Sequence, residues 1–175
     1  GGAPVDLASA APFPNLTGAG LPSGLGLPQG RAQAMPASPG SWTWRDHQAA
    51  GQSRQYRLYV PASLAEGETP AGILLLLHGC TQDPDDFSRG TGIHDAAERH
   101  RVVVIAPAQP AQANMNRCWN WFEPRHAVAQ GGEAAFLTDL TRAIGHEFAV
   151  PPNLRFAAGL SAGGAMSVIL GAVFP

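Results

Sequence analysis

The distribution of apolar and polar residues changes abruptly at Ser41. Before it, residues 1–40 scatter single apolar side chains among Gly, Pro, Ala and Ser, as in Leu21-Pro22-Ser23-Gly24-Leu25-Gly26-Leu27-Pro28. Such a stretch buries too little apolar area to offset its ordering entropy, so it reads as a non-catalytic leader or linker. Beyond it, Ser41-Trp42-Thr43-Trp44-Arg45-Asp46 and Arg54-Gln55-Tyr56-Arg57-Leu58-Tyr59-Val60 alternate around a polar turn containing Gly51. That period predicts an antiparallel strand pair at a sheet edge.

Ile73-Leu74-Leu75-Leu76-Leu77 is an uninterrupted apolar run of strand length, as expected of a central parallel strand covered on both faces. Asp83-Pro84 supplies an N-cap with Pro at the first helical position, and Ile93, Ala96, Ala97 and His100 share one face of a further helical stretch. Residues 101–107 form a second buried strand. A Trp-bearing loop follows, then a helix with Phe136, Leu137, Leu140, Ile144 and Phe148 at helical spacing. Residues 154–158 give a third strand, which runs into Gly159-Leu160-Ser161-Ala162-Gly163 and a helix carrying Met166, Ile169, Leu170 and Val173 on one side. Strand and helix alternate three times over. The order predicts an α/β fold with a mainly parallel sheet and an antiparallel edge, spanning residues 41–175.

Composition narrows the chemistry more than the fold. The formal net charge is -2 and only 14% of residues are charged, so no long-range field attracts nucleic acid or anionic lipid. Every basic side chain other than His is Arg. Schiff-base catalysis and the phosphate-gripping Lys of a nucleotide-binding loop are thereby excluded. No window reaches the roughly 18 apolar residues of a membrane span. The two cysteines, Cys80 and Cys118, fit one disulfide or two free thiols, and no CxxC spacing suggests metal binding.

The strand before Ser161 and the helix after it are the context a nucleophilic serine needs, because the nucleophile must project from a tight turn flanked by small residues. Gly159, Ala162, Gly163 and Gly164 meet that need, and the helix directs its N-terminal amides at the site where an oxyanion would form. The Ala162 amide is one candidate oxyanion donor. The Cys80 amide, in the loop His78-Gly79-Cys80-Thr81 after the central strand, is the other. His78 reads as a residue holding that loop, not as the base. In Asn116-Arg117-Cys118-Trp119-Asn120-Trp121-Phe122, Trp119 and Trp121 are candidates for a wall against which an acyl or aryl group packs. A Cys80–Cys118 bridge would tie that wall to the oxyanion loop and contribute about 3–4 kcal/mol.

Together, Leu77-His78-Gly79-Cys80-Thr81-Gln82, Cys118-Trp119-Asn120-Trp121-Phe122 and Gly159-Leu160-Ser161-Ala162-Gly163-Gly164-Ala165-Met166 resemble the polyhydroxybutyrate depolymerase family of esterases, to which feruloyl and acetylxylan esterases are similar. The likeness runs from about Arg54 to Pro175. It implies an α/β-hydrolase fold, hydrolysis of carboxylic esters in polyesters or cell-wall conjugates without metal or cofactor, and frequent secretion to an extracellular or periplasmic location. It also implies a triad Asp and His from strand ends after the nucleophile helix, and none follows Ser161 here. Asp139, His126 and His146 all precede Ser161, and none is nominated. The chain alone is therefore expected to be nearly inactive, its third strand left as an exposed edge, with a second polypeptide or a lost segment carrying the remainder. Competing readings are a prolyl-oligopeptidase-like serine peptidase and a non-catalytic α/β-hydrolase-like binding module.

Overall fold

The computed structural model describes residues 38–174. The leader expected over 1–40 lies, apart from its last three residues, outside them. Within the described residues five strands form one sheet: β1 (Ser41–Ala49), β2 (Gln52–Val60), β3 (Gly72–Leu77), β4 (Val102–Pro107) and β5 (Arg155–Gly159), in the order β1-β2-β4-β3-β5. β1 and β2 pair antiparallel over their whole lengths, from Ser41 opposite Val60 to Ala49 opposite Gln52. The hairpin is longer than its alternating core suggested, because Ala50 and Gly51 both take positive φ, 50° and 71°, in a two-residue turn whose twist matches the strands. β2 meets β4 antiparallel, while β3 lies parallel to both β4 and β5.

Among the described residues four α-helices complete the layers: α1 (Pro84–Thr91), α2 (Ile93–His100), α3 (Gly132–Glu147) and α4 (Ala162–Val173). Asp83 caps α1, its carboxylate accepting from the Asp86 amide at 2.8 Å, and Gly92 ends that helix at φ 61°. The apolar run of β3 divides by parity. Ile73, Leu75 and Leu77 pack with Phe136, Leu137 and Leu140 of α3 and Met166 of α4. Leu74 and Leu76 face Phe87, Ile93 and Ala97 of α1 and α2. Each face buries its own helix layer, which is why no polar residue interrupts the strand. β5 pairs with β3 alone among the described residues, and Phe156 on it is 53% exposed. An open groove of about 460 Å³ runs beside this edge, lined in part by Leu137, Phe156, Leu170 and Phe174, away from Ser161.

Candidate active site

β3 and β5 are parallel neighbours with Leu77 opposite Gly159, so the segments that leave their carboxyl ends emerge side by side. From β3 comes His78-Gly79-Cys80, from β5 Leu160-Ser161. Ser161 holds φ 54° and ψ -120° between strand and helix, a conformation an L side chain adopts only when its surroundings force it. Three backbone bonds close the turn: Leu160 N to Leu77 O at 3.2 Å, Gly163 N to Leu160 O at 2.9 Å and Ala165 N to Ser161 O at 3.0 Å. The small residues are required by packing as well as by the turn. A Cβ on Gly159 would sit 2.5 Å from the Gly163 carbonyl carbon, and one on Gly163 would strike Leu77 O and stand 2.6 Å from His78 O. The Ser161 residue itself is exposed.

The loop after β3 touches this turn. A Cβ on Gly79 would lie 3.6 Å from that of Ser161. Around the two candidate donors the neighbouring amides are engaged: Gly79 N donates to Gln82 Oε1 at 2.9 Å and Thr81 N to Asn116 O at 2.7 Å. The Cys80 and Ala162 amides, in contrast, donate to no protein acceptor among the described residues. Ala162 is the first residue of α4, where the helix dipole adds partial positive charge.

His78 is buried, and its ring is assigned by its neighbours. The Gln109 backbone N–H lies 3.1 Å from Nε2 and can only donate, so Nε2 carries the lone pair. Nδ1 therefore bears the proton and donates to Gly79 O at 2.7 Å. Burial pushes the imidazole pKa below its ordinary value, which favours the neutral ring. With both nitrogens occupied, His78 holds the loop and is not available to Ser161.

Behind the loop lies a polar cluster that local sequence pattern did not single out. The Glu133 carboxylate, wholly buried in the first turn of α3, accepts from Gln109 Nε2 at 2.6 Å, Asn120 N at 2.7 Å, Asn120 Nδ2 at 2.8 Å and Arg54 Nη2 at 3.1 Å. Arg54 lies over the Trp119 and Phe136 rings at 5.3 and 5.2 Å, and burial pulls its guanidinium pKa down against the pull of Glu133. The available sequence signal was weak: a Glu near a helix start reads as a surface charge that complements the dipole.

Cys80 and Cys118 are bridged, with Cα atoms 4.2 Å apart across 38 positions of chain. The two tryptophans part company. Trp119 is fully buried, its Nε1 donating to His78 O at 3.1 Å, so the expected contact of this indole with substrate is corrected to an anchoring role inside the core. Trp121 is 46% exposed and meets Phe122 edge-on at 5.9 Å. Among the described residues no histidine hydrogen-bonds to the Ser161 hydroxyl. His126 Nδ1 accepts from Glu133 N at 3.2 Å, and Asp139 pairs with His47 at 2.9 Å and with Arg142. His146 lies in the last turn of α3.

A model of the Esterase PHB depolymerase family matches residues 54–175. A poly(3-hydroxybutyrate) depolymerase of Ralstonia pickettii is 31% identical over 81% of this chain and 32% of its own length. Feruloyl esterase B of Neurospora crassa is 26% identical over 67% of this chain and 38% of its own. The chain thus spans about a third of the length of these relatives. In fold it is similar to an acetyl xylan esterase from Aspergillus awamori, with TM-score 0.65 and 20% identity, covering 76% of this chain and 48% of that one. A poly(3-hydroxybutyrate) depolymerase from Bordetella parapertussis gives TM-score 0.62 at 19% identity, covering 77% and 48%. Both likenesses place the sheet and helices in the α/β-hydrolase fold.

Proposed function

The chain belongs to the PHB depolymerase family of esterases, and from that premise we propose that it supplies the nucleophile and the oxyanion hole of a serine hydrolase acting on carboxylic esters. The observation that carries this reading is the pairing of Ser161, at φ 54° in its tight turn, with the unengaged amides of Cys80 and Ala162 beside it. Attack of Ser161 Oγ on the ester carbonyl would move negative charge onto the carbonyl oxygen, where the two amides receive it. A histidine takes the Ser161 proton and returns it to the departing alcohol. Water, deprotonated by the same histidine, then attacks the acyl-enzyme; the Ser161 ester bond breaks, the acid leaves and the serine is protonated again.

That histidine and its Asp partner come from outside the described residues, in a further segment or a second polypeptide. The exposed Trp121 and Phe122 suit an apolar acyl or aryl group, so the substrate class is a hydroxyalkanoate-type polyester or a feruloyl or acetyl ester. The Cys80–Cys118 bridge supports an oxidising location, extracellular or periplasmic. Among the described residues no helix is long and apolar enough to cross a membrane.

The test is turnover of p-nitrophenyl butyrate by the full-length protein together with labelling by a fluorophosphonate probe. One adduct at Ser161, and loss of both signals in Ser161→Ala, is the expected result. Turnover that survives Ser161→Ala would overturn the assignment, and complete absence of turnover and labelling would favour a binding module.

A further inference from the structure

We propose that Gln109 is the positioning residue that aims the Cys80 amide at the reacting oxygen. The inference rests on the serine-esterase reading and names the side chain on which its oxyanion geometry depends.

A backbone N–H has no torsion of its own. Its direction follows from the plane of its peptide, and in a trans peptide it points opposite to the preceding carbonyl. For Cys80 that carbonyl is Gly79 O, which accepts the His78 Nδ1–H at 2.7 Å and, at a longer 3.4 Å, the Gln82 amide N–H. The second constraint on Cys80 is its side chain, bridged to Cys118. Both constraints lead to one residue. The Gln109 backbone N–H bonds His78 Nε2 at 3.1 Å and so forces the tautomer that donates to Gly79. The Gln109 side-chain Nε2 bonds Cys118 O at 2.9 Å. Gln109 therefore holds the Cys80 peptide from the carbonyl side and from the disulfide side at once.

The Gln109 side chain is itself held in one orientation. Its Nε2 has two hydrogens, and both are used, one on Cys118 O and one on Glu133 Oε1 at 2.6 Å. Rotating the amide by half a turn would bring its oxygen against two acceptors. In the orientation observed, Gln109 Oε1 is buried without a hydrogen-bond partner, although the residue is only 2% exposed. A buried carbonyl left unpaired lowers stability, and an apolar side chain of equal length would avoid that cost. What the glutamine provides in return is its pair of donors, and these reach the oxyanion loop through Cys118 and the carboxylate that anchors the neighbouring Trp loop. Arg54 completes the anchor by pairing with Glu133.

The test is Gln109→Met in the full-length protein, which keeps length and the backbone N–H but removes both side-chain donors. Misplacing a group by about 1 Å costs on the order of 10²-fold in rate, so kcat for p-nitrophenyl butyrate is expected to fall on the order of 10- to 100-fold. KM should change by less than about threefold, because an oxyanion donor acts mainly in the transition state. Affinity for a trifluoromethyl ketone, which forms a tetrahedral adduct on the serine, should fall in parallel with kcat/KM. A merely structural role predicts a lower melting temperature with kcat and inhibitor affinity per folded site unchanged, and that outcome overturns the proposal. Should Gln109→Met fail to fold, Glu133→Gln decides: it leaves Gln109 in place but weakens its anchor, and kcat and inhibitor affinity within twofold of the parent would overturn the inference. Loss of turnover and Ser161 labelling in the parent protein would instead remove the serine-esterase reading, and the inference would fall with it.

Discussion

Arg54 Nη2 and Glu133 Oε1 form an ion pair 3.1 Å long whose side chains are 3% and 0% exposed. The two ends are not equivalent. Glu133 also accepts from Gln109 and twice from Asn120, whereas among the described residues Arg54 bonds besides only Gln52 Oε1, at 2.7 Å. Glu133→Ala leaves a buried guanidinium and three donors uncompensated, and the expected loss is about 3–5 kcal/mol. Arg54→Met leaves the carboxylate with three donors and its cation–π neighbours with an apolar chain, so it should cost less. Urea unfolding of the two variants checks the order; equal losses would show that the carboxylate is not the hub.

His78 makes stability depend on pH in a defined window. Its folded pKa is depressed by burial, so the unfolded chain takes up the proton first, near pH ~6.5. The stabilisation is complete above that value and is lost as pH falls toward the folded pKa. His94, also depressed by burial, acts in the same direction. Thermal melts in steps from about pH 8 to pH 4.5 should show a decline that begins near ~6.5. His78→Asn should reduce that slope while lowering the melting temperature at pH 8. An unchanged slope would mean that His78 is not the neutral ring its neighbours dictate.

Reduction of the Cys80–Cys118 bridge should act on rate and stability together. Closing 38 positions of chain is worth about 4 kcal/mol in the chain-entropy account. The same bond restrains the Cys80 amide. Cys118→Ser in the full-length protein is expected to lower the unfolding midpoint and, on the proposed esterase activity, to reduce kcat more than it raises KM for a small soluble ester. A stability loss with kcat intact would confine the bridge to a structural role.

The tight turn at Ser161 was legible in the sequence because its requirements are local. A strand, a serine between small residues and an amphipathic helix stand consecutively from Leu154 to Val173, and the structure adds the reason Gly163 is small, its approach to Leu77 O and His78 O. The loop at His78 was legible for the same reason, as the end of an apolar strand. Gln109 and Glu133 were not. They are 24 positions apart, one just after β4 and the other in the first turn of α3, and what joins them is the packing of α3 against the sheet, which the alternation of strands and helices does not specify. Nor does spacing reveal that Trp119 points inward. Residues two apart in a strand share a face, but the segment from Cys118 to Phe122 is irregular, and there the side-chain direction is set by tertiary partners.

The two indoles of that segment should answer mutation in opposite currencies. Trp119 lies in the core with Arg54 over its ring and its Nε1–H on His78 O, so Trp119→Ala opens a cavity and strands a buried carbonyl. The expected cost is about 3–5 kcal/mol. Trp119→Phe should recover part of the packing but not the hydrogen bond. Trp121, 46% exposed against Phe122, has little to lose on folding, and Trp121→Ala should stay within about 0.5 kcal/mol of the parent. Its effect should appear in substrate binding instead. An aromatic contact is worth about 0.5–1.5 kcal/mol beyond its area, which predicts a KM several-fold higher for aryl or long-chain acyl esters and little change for acetate. Measuring KM across an acyl series with Trp121→Ala, beside urea melts of both variants, separates wall from anchor. A uniform KM across the series would remove Trp121 from the substrate wall and leave the exposed pair with Phe122 without a part in recognition.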